Sequence, residues 1–119
     1  MAVLNVARLF ACKAMWAAGL ESAGRCLLTA LDSPHGDVRT VAGMFLVQGG
    51  QRALPLIREA IERREHLPMA LTIAGDIGAH DLARQIQGLT AHADPQISRA
   101  ARDALDILAL QKNTASTSG

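Results

Sequence analysis

The fold is decided by residues 37–57, DVRTVAGMFLVQGGQRALPLI. Apolar and small residues recur in this stretch at Val38, Ala42, Phe45, Gly49, Ala53 and Ile57. The same order returns 29 to 30 residues later, first at Leu67, Leu71, Ala74, Gly78, Leu82 and Ile86, and again at Ile97, Ala101, Ala104 and Leu108. A fainter copy precedes them at Gly19, Ala23 and Leu27. A repeat between 20 and 50 residues long is typical of proteins built from stacked units.

Residues that are typical of helix starts and helix ends divide the chain into seven predicted helices. They cover about residues 2–18, 22–31, 34–48, 52–64, 68–76 and 81–91, and the last starts at Asp94-Pro95. Glycines close several of them, and Ser33-Pro34 and Asp94-Pro95 open two. Sustained apolar–polar alternation, the mark of a strand, does not occur. We therefore predict an all-α fold in one domain, residues 1–112, followed by a polar, disordered tail over residues 113–119.

The phrase Asp37-Val38-Arg39-Thr40-Val41-Ala42, followed by a Gly-Gly break and Ala53-Leu54-Pro55-Leu56, resembles a HEAT repeat. Its period is similar to that of the short repeats in phycobilisome-lyase HEAT-like proteins. The copy at Asp94 has Ser98 in place of the arginine, and the copy before it reads Glu65-His66-Leu67-Pro68. The resemblance covers about residues 19–110. It implies a right-handed α-solenoid of about seven helices, in three to four helical hairpins, and a family whose members mostly bind other proteins.

Charge and cysteine content restrict the classes of function. The chain has 12 basic and 11 acidic residues, so no global field attracts it to nucleic acid or an anionic bilayer. Arg8 and Lys13 interrupt the apolar N-terminal stretch, which argues against a signal peptide or membrane insertion. Cys12 and Cys26 are expected to be buried thiols that fill space in the core, in a reducing compartment. These features predict a cytoplasmic protein.

Motifs for catalysis are not found in the sequence. A Walker loop is absent, and the four histidines, His35, His66, His80 and His92, fall in separate segments without i, i+4 spacing. No histidine is placed by the sequence beside either cysteine. We expect no enzyme activity, no metal, no cofactor and no small-molecule substrate.

Two surfaces are candidates for binding a partner. The first is helix one, which is apolar nearly all round, and its candidate residues are Leu9, Phe10, Met15 and Trp16. The second is the concave surface that the second helix of each HEAT hairpin lines, with Arg52, Arg58, Glu59, Glu62, Arg63 and Arg84. For helix one the alternative is deeper burial; for the charged set it is a solvated, salt-bridged face.

The expected function is that of a scaffold or adaptor that binds another protein, with self-association through helix one included. Two alternatives stay open at this level. One is a subunit resembling bilin lyases or isomerases, which requires an accessible Cys or His. The other is weak nucleic-acid binding through the arginines of the second helices, although the interleaved glutamates and the lack of stacking aromatics count against it.

Overall fold

The computed structural model describes the backbone of residues 2–118 and the side chains of residues 6–112. Every regular element over that backbone is helical, which confirms the all-α prediction. The helices are α1 (Ala2–Ala17), α2 (Glu21–Ala30), α3 (Gly36–Gly49), α4 (Leu54–Arg63), α5 (Met69–Asp76), α6 (Ala83–Leu89) and α7 (Pro95–Ser118). Short 3-10 turns, Gly50–Ala53 and His80–Leu82, precede α4 and α6. Each predicted helix has a counterpart among these elements.

The chain divides into two compact units. The N-terminal unit is Met1–Leu56 and the C-terminal unit is Ile57–Gly119, so the boundary falls inside α4. The helix contacts within each unit can be followed separately.

In the N-terminal unit, α1 contacts both α2 and α3. Against α2 the chain directions are opposite, because Cys12 pairs with Cys26 whereas Trp16, further along α1, meets the earlier residue Gly24. Against α3 the contacts ascend in both helices, from Phe10–Phe45 through Lys13–Gln48 to Trp16–Gly49. Helices α1 and α3 therefore run parallel, with the antiparallel α2 between them in sequence.

Trp16 is the centre of this unit, and two glycines make room for its ring. The side chain is only 5% exposed. A Cβ at Gly24 would lie 2.9 Å from Trp16 Nε1, and a Cβ at Gly49 would overlap the six-membered part of the indole. Side chains larger than hydrogen at these two positions would displace the ring, because atoms in a packed interior leave no spare volume.

In the C-terminal unit, α7 contacts α5 and α6. A Cβ at Gly75 would lie 3.2 Å from the Cα of Ala104, and Gly78 faces Gln111, so the contacts again ascend in both helices. The Gln111 Nε2 atom also donates to the Gly75 carbonyl at 3.1 Å. Helices α5 and α7 therefore run parallel at close range, which the small residues at positions 75 and 104 permit.

Two helix starts were predicted from Ser-Pro and Asp-Pro pairs, and only one behaves as expected. Asp94 caps α7, since its Oδ1 accepts the Gln96 N–H at 2.9 Å and Pro95 opens the helix. Ser33 Oγ instead accepts the N–H of His35 at 3.2 Å, and α3 begins only at Gly36. The prediction that Ser33 caps α3 is therefore wrong by two residues, because its hydroxyl closes a local turn before the helix.

Three helices end through the same pair of backbone hydrogen bonds. After α1 and α5 the left-handed position belongs to Gly19 (φ 108°) and Gly78 (φ 72°), as the sequence predicts. After α4 it belongs to Arg64 (φ 56°), whose N–H bonds to Ile61 O while the Glu65 N–H bonds to Ala60 O. The sequence has no glycine there, although the end of this helix was predicted at about residue 64, within one residue of the observed end.

The repeat positions coincide with the buried positions. The side chains that stand at equivalent places in successive copies and are fully buried are Ala42, Ala53, Ile57, Leu71, Ala74, Leu82, Ile86 and Ala101. The 29- to 30-residue period therefore indicates which side of each helix is buried.

Candidate functional site: the α1–α3 face

The four candidate residues of α1 divide into a buried pair and an exposed pair. Leu9 is 3% exposed and Trp16 5%, whereas Phe10 is 56% and Met15 44% exposed. Leu9 and Trp16 belong to the core of the N-terminal unit and have little surface for a partner. Phe10 and Met15 remain in contact with water.

Phe10 and Met15 nevertheless lie on different sides of α1. Five residues advance a helix by about 500°, which places the two side chains about 140° apart. The shorter arc of the wheel between them holds the exposed residues Ala7, Ala11 and Ala14, whereas the buried residues Cys12 and Trp16 lie on the longer arc. Phe10 and Met15 are therefore considered separately because of the angle between them, and not because buried residues divide them.

Phe10 is exposed but held by neighbouring side chains. Its ring meets that of Phe45 edge-to-face, with centroids 4.9 Å apart and planes at 71°. Lys13 extends over the same Phe45 ring, with Nζ 4.5 Å from its centroid, and donates to Gln48 Oε1 at 2.7 Å. These contacts are of the aromatic-pair and cation–π types, which add to plain apolar burial.

Met44 extends the apolar surface onto α3. It is 53% exposed and stands four residues before Gln48 and three after Val41, so these three residues share one side of α3. Because Lys13 bonds to Gln48, that side is next to α1. We call Phe10, Lys13, Val41, Met44 and Gln48 the α1–α3 face. Sequence reasoning missed Met44. Adjacent residues of a helix point in different directions, so a residue next to the core position Phe45 could have been expected to face outward.

A cleft adjoins the α1–α3 face. It has a volume of ≈ 650 Å³, and Lys13 and Gln48 line it together with Trp16, Phe45 and Arg52. Arg52 was predicted to lie on a concave binding surface, but its Nη1 donates to the carbonyls of Ala17 at 3.0 Å and Trp16 at 3.4 Å. The guanidinium thus satisfies the last carbonyls of α1.

The remaining charged candidates all belong to the C-terminal unit. Arg58 and Glu59 are half-buried on α4, and Glu62 and Arg63 are exposed. Arg63 pairs with Glu59 at 3.2 Å across one helical turn, and Arg84 is exposed on α6. The i, i+4 pair agrees with the salt-bridged face that sequence offered as the alternative, and such a pair contributes only about 0.3–0.5 kcal/mol.

The cysteines differ from their expected state. Cys12 and Cys26 form a disulfide that joins α1 to α2, with Cα atoms 6.4 Å apart. The expectation of separate buried thiols is therefore wrong. Spacing did not reveal the pair, because positions 12 and 26 become neighbours only through the antiparallel α1–α2 hairpin.

The histidines and the possible metal ligands stay apart. His92 Nδ1 accepts the N–H of Asp94 at 3.0 Å, and His66 Nε2 lies 4.0 Å from Glu65. Within the described side chains, no three His, Cys, Asp or Glu residues are grouped so as to hold a metal ion. In the part of the chain that the structure covers, no helix has both the length and the apolar character needed to cross a bilayer.

Comparison with known proteins gives no assignment: no protein-family model, curated protein or solved structure matches this chain.

Proposed function

We propose that this chain is a non-catalytic protein-interaction module built from HEAT-like helical hairpins. Two observations support the repeat arrangement. Helices α1 and α3 are parallel neighbours in one unit, as are α5 and α7 in the other, and each pair is separated in sequence by an antiparallel or connecting helix. The same register also marks the buried residues. A right-handed α-solenoid is the architecture that such parallel first helices favour.

The observation that carries the function is Phe10, an aromatic ring that is largely exposed and yet fixed in place. Aromatic residues are enriched at protein interfaces and in their hot spots. A ring already held by Phe45 loses little conformational freedom when a partner covers it, which lowers the entropic cost of binding. Met44 supplies adaptable apolar area on the same face.

The charges on α1 indicate the kind of partner. Arg8 and Lys13 are its charged residues, and Ala2–Ala17 contains no Asp or Glu. A docked segment would match this surface in apolar character if its apolar side chains contacted Phe10 and Met44. It would match the surface in charge if its carboxylates lay near Lys13. The proposed occupant is an apolar segment with flanking acidic residues, belonging to another protein.

Site-specific photo-crosslinking in the native host tests the proposal. A photoreactive phenylalanine analogue is placed at position 10 in one variant and at position 15 in a matched control, since both side chains are exposed on α1 but point about 140° apart. We expect position 10 to give one discrete crosslinked protein, and Met44→Ser to abolish it. Identical adducts from both positions would contradict the proposal.

Affinity measurements with the crosslinked partner then quantify the face. Replacing Phe10 by Ala should weaken binding by about tenfold or more, since hot-spot truncations cost about 2 kcal/mol or more. Replacing Met15 by Ala should change the affinity by less than about threefold, because it lies outside the face. A crosslinked species that consists of two copies of this chain would identify self-association in place of a heterologous partner.

A further inference from the structure

A second cleft of the N-terminal unit lies on the α1–α2 side, away from the α1–α3 face. Its volume is ≈ 400 Å³, and its polar wall is formed by Arg8, Arg25, Thr29 and Ser33. Leu9, Ala30 and Val38 provide an apolar wall, and Cys26 of the disulfide also lines the cleft. The cleft is thus lined by two arginines and by one cysteine of a disulfide.

The two cysteines of the disulfide differ in exposure. Cys12 is 6% exposed and does not line the cleft, whereas Cys26 is half-buried and does. Thiol–disulfide exchange proceeds by attack of a thiolate on one sulfur of the bond, and access helps to decide which sulfur is attacked. An incoming thiolate therefore reaches Cys26 before Cys12.

We propose that Cys26 is a thiol–disulfide exchange site for a small thiol that carries carboxylates, which binds in the cleft of Arg8 and Arg25. The thiolate of the small molecule attacks Cys26 Sγ, the Cys12–Cys26 bond breaks, and its electron pair goes to Cys12 Sγ, which takes a proton from water. A mixed disulfide then joins Cys26 to the small thiol. A second thiolate attacks the small-molecule sulfur of this bond, giving the free Cys26 thiolate and the oxidised dimer of the small thiol.

The arginines supply the selectivity of this site. Both are exposed at the rim of the cleft, where their positive charge attracts the thiolate and the carboxylates of the incoming molecule. A thiol with no other charged group gains only the attraction of its thiolate, and a thiol whose one other charge is an ammonium group gains no net attraction, whereas a thiol with more carboxylates than ammonium groups gains more. The site goes beyond the proposed protein-interaction function and does not depend on it.

The test uses the oxidised full chain and three probes, glutathione, 2-mercaptoethanol and cysteamine, at equal thiolate concentration. Acid quenching traps the mixed disulfide, mass spectrometry follows its formation, and peptide mapping locates it. We expect the first adduct on Cys26 and the fastest exchange with glutathione. In the Arg8→Gln, Arg25→Gln double variant, the rate ratio of glutathione to 2-mercaptoethanol should fall by about fivefold, the size of one close charge pair in water.

The matched control is the double variant Arg84→Gln, Arg99→Gln, which removes the same charge from exposed positions of the C-terminal unit. It should leave the rate ratio unchanged. An adduct found first on Cys12, or an equal change of the ratio in both double variants, would overturn the proposal.

Salt provides a second measurement on the unmodified chain, in case the arginine substitutions disturb folding. Raising the ionic strength from about 0.01 M to about 1 M shortens the Debye length from about 30 Å to about 3 Å. The preference for glutathione over 2-mercaptoethanol should fall toward unity across this range. A preference that is independent of salt would also overturn the proposal.

Discussion

Residues 1–56 and 57–119 fill the same repeat register with different side chains. The N-terminal unit contains every aromatic residue of the chain, Phe10, Trp16 and Phe45, as well as both cysteines. The C-terminal unit has neither kind of residue, and its parallel helices approach through Gly75 and Ala104. One unit is thus organised around a single large ring and a covalent link, and the other around many small aliphatic contacts.

The difference indicates which residues concentrate the stability of each unit. In the N-terminal unit, one ring meets two glycines from two different helices, so several contacts depend on one residue. In the C-terminal unit, buried positions such as Leu71, Ile73, Leu82 and Ile86 share the burial more evenly. Single substitutions should therefore have larger and more uneven effects in the first unit than in the second.

The largest expected effect is that of Trp16→Ala. Removing a buried tryptophan costs about 3–5 kcal/mol of unfolding free energy, because the cavity between Gly24 and Gly49 cannot collapse fully. Urea unfolding followed by circular dichroism measures the loss. The exposed Phe10→Ala serves as the aromatic control and should cost less than about 1.5 kcal/mol, the upper value for an aromatic pair. Equal losses of unfolding free energy in the two variants would contradict the distinction between the buried ring of Trp16 and the exposed ring of Phe10.

Reduction of the disulfide is next in size. The bond spans 14 residues, and closing a loop of about 15 residues stabilises a protein by about 3 kcal/mol. A reductant should lower the unfolding midpoint seen by fluorescence of Trp16, the only tryptophan of the chain. If the two units unfold independently, the reductant should leave the midpoint of a later part of the circular dichroism transition unchanged. An equal shift of the fluorescence and circular dichroism midpoints would show that the two units unfold together.

Two glycine substitutions compare the packing of the units directly. Gly49→Ala places a methyl group into the indole ring, and Gly75→Ala places one 3.2 Å from the Ala104 Cα. Overpacking costs about 1–3 kcal/mol, and we expect the value for Gly49 to be the larger because the ring is fixed. Gly88 on α6 is the control: nothing lies within 4 Å of its added Cβ, so Gly88→Ala should stabilise. Chemical unfolding of the three variants ranks them.

Removing the cap of α7 should have a moderate effect confined to the C-terminal unit. Asp94→Ala loses the acceptor for the Gln96 N–H and should cost about 1 kcal/mol. Asp94→Ser or Asp94→Asn keeps a side-chain acceptor and should recover most of the stability. Thermal unfolding of the three variants measures this, and an alanine variant as stable as the wild type would mean that water replaces the cap.

The smallest expected effect is a gain in stability at the end of α4. Arg64 has φ 56°, a left-handed conformation that costs a non-glycine residue about 1–2 kcal/mol. Arg64→Gly removes that cost. Glycine also makes the unfolded chain more flexible, which lowers the stability of the folded state by about 0.4–1 kcal/mol, so the net gain in stability should be about 0.5 kcal/mol. Arg63→Gly, at the last residue of α4, loses helix propensity and the ion pair with Glu59 and should destabilise by up to about 1 kcal/mol. Urea midpoints of the two variants should therefore move in opposite directions.

The sequence was most informative where packing repeats. Ala42, Leu71 and Ala101 were identified by their period and are fully buried, because each copy presents the same side of a helix to the interior. The glycine stops at Gly19 and Gly78 were also predicted, since only the local backbone decides them.

The sequence was least informative on α1. Its side chains are apolar nearly all round, so no polar side distinguished the buried Leu9 and Trp16 from the exposed Phe10 and Met15. The disulfide and the contact of Lys13 with Gln48 depend on helices meeting in space, which one helix's own pattern cannot reveal. Arg52 looked like a free surface charge because its acceptors, the carbonyls of α1, belong to the backbone.

The link between Cys12 and Cys26 has a further consequence for how the chain can be cut. The turn between α1 and α2, with exposed Leu20 and Glu21, lies inside the ring that the disulfide closes. Proteolysis there would open the backbone but leave one covalent molecule, with α1 still attached to α2. A cut in the backbone at this turn would become detectable only after a reductant separated the two pieces. The disulfide that stabilises the hairpin therefore also keeps a cleaved chain in one molecule.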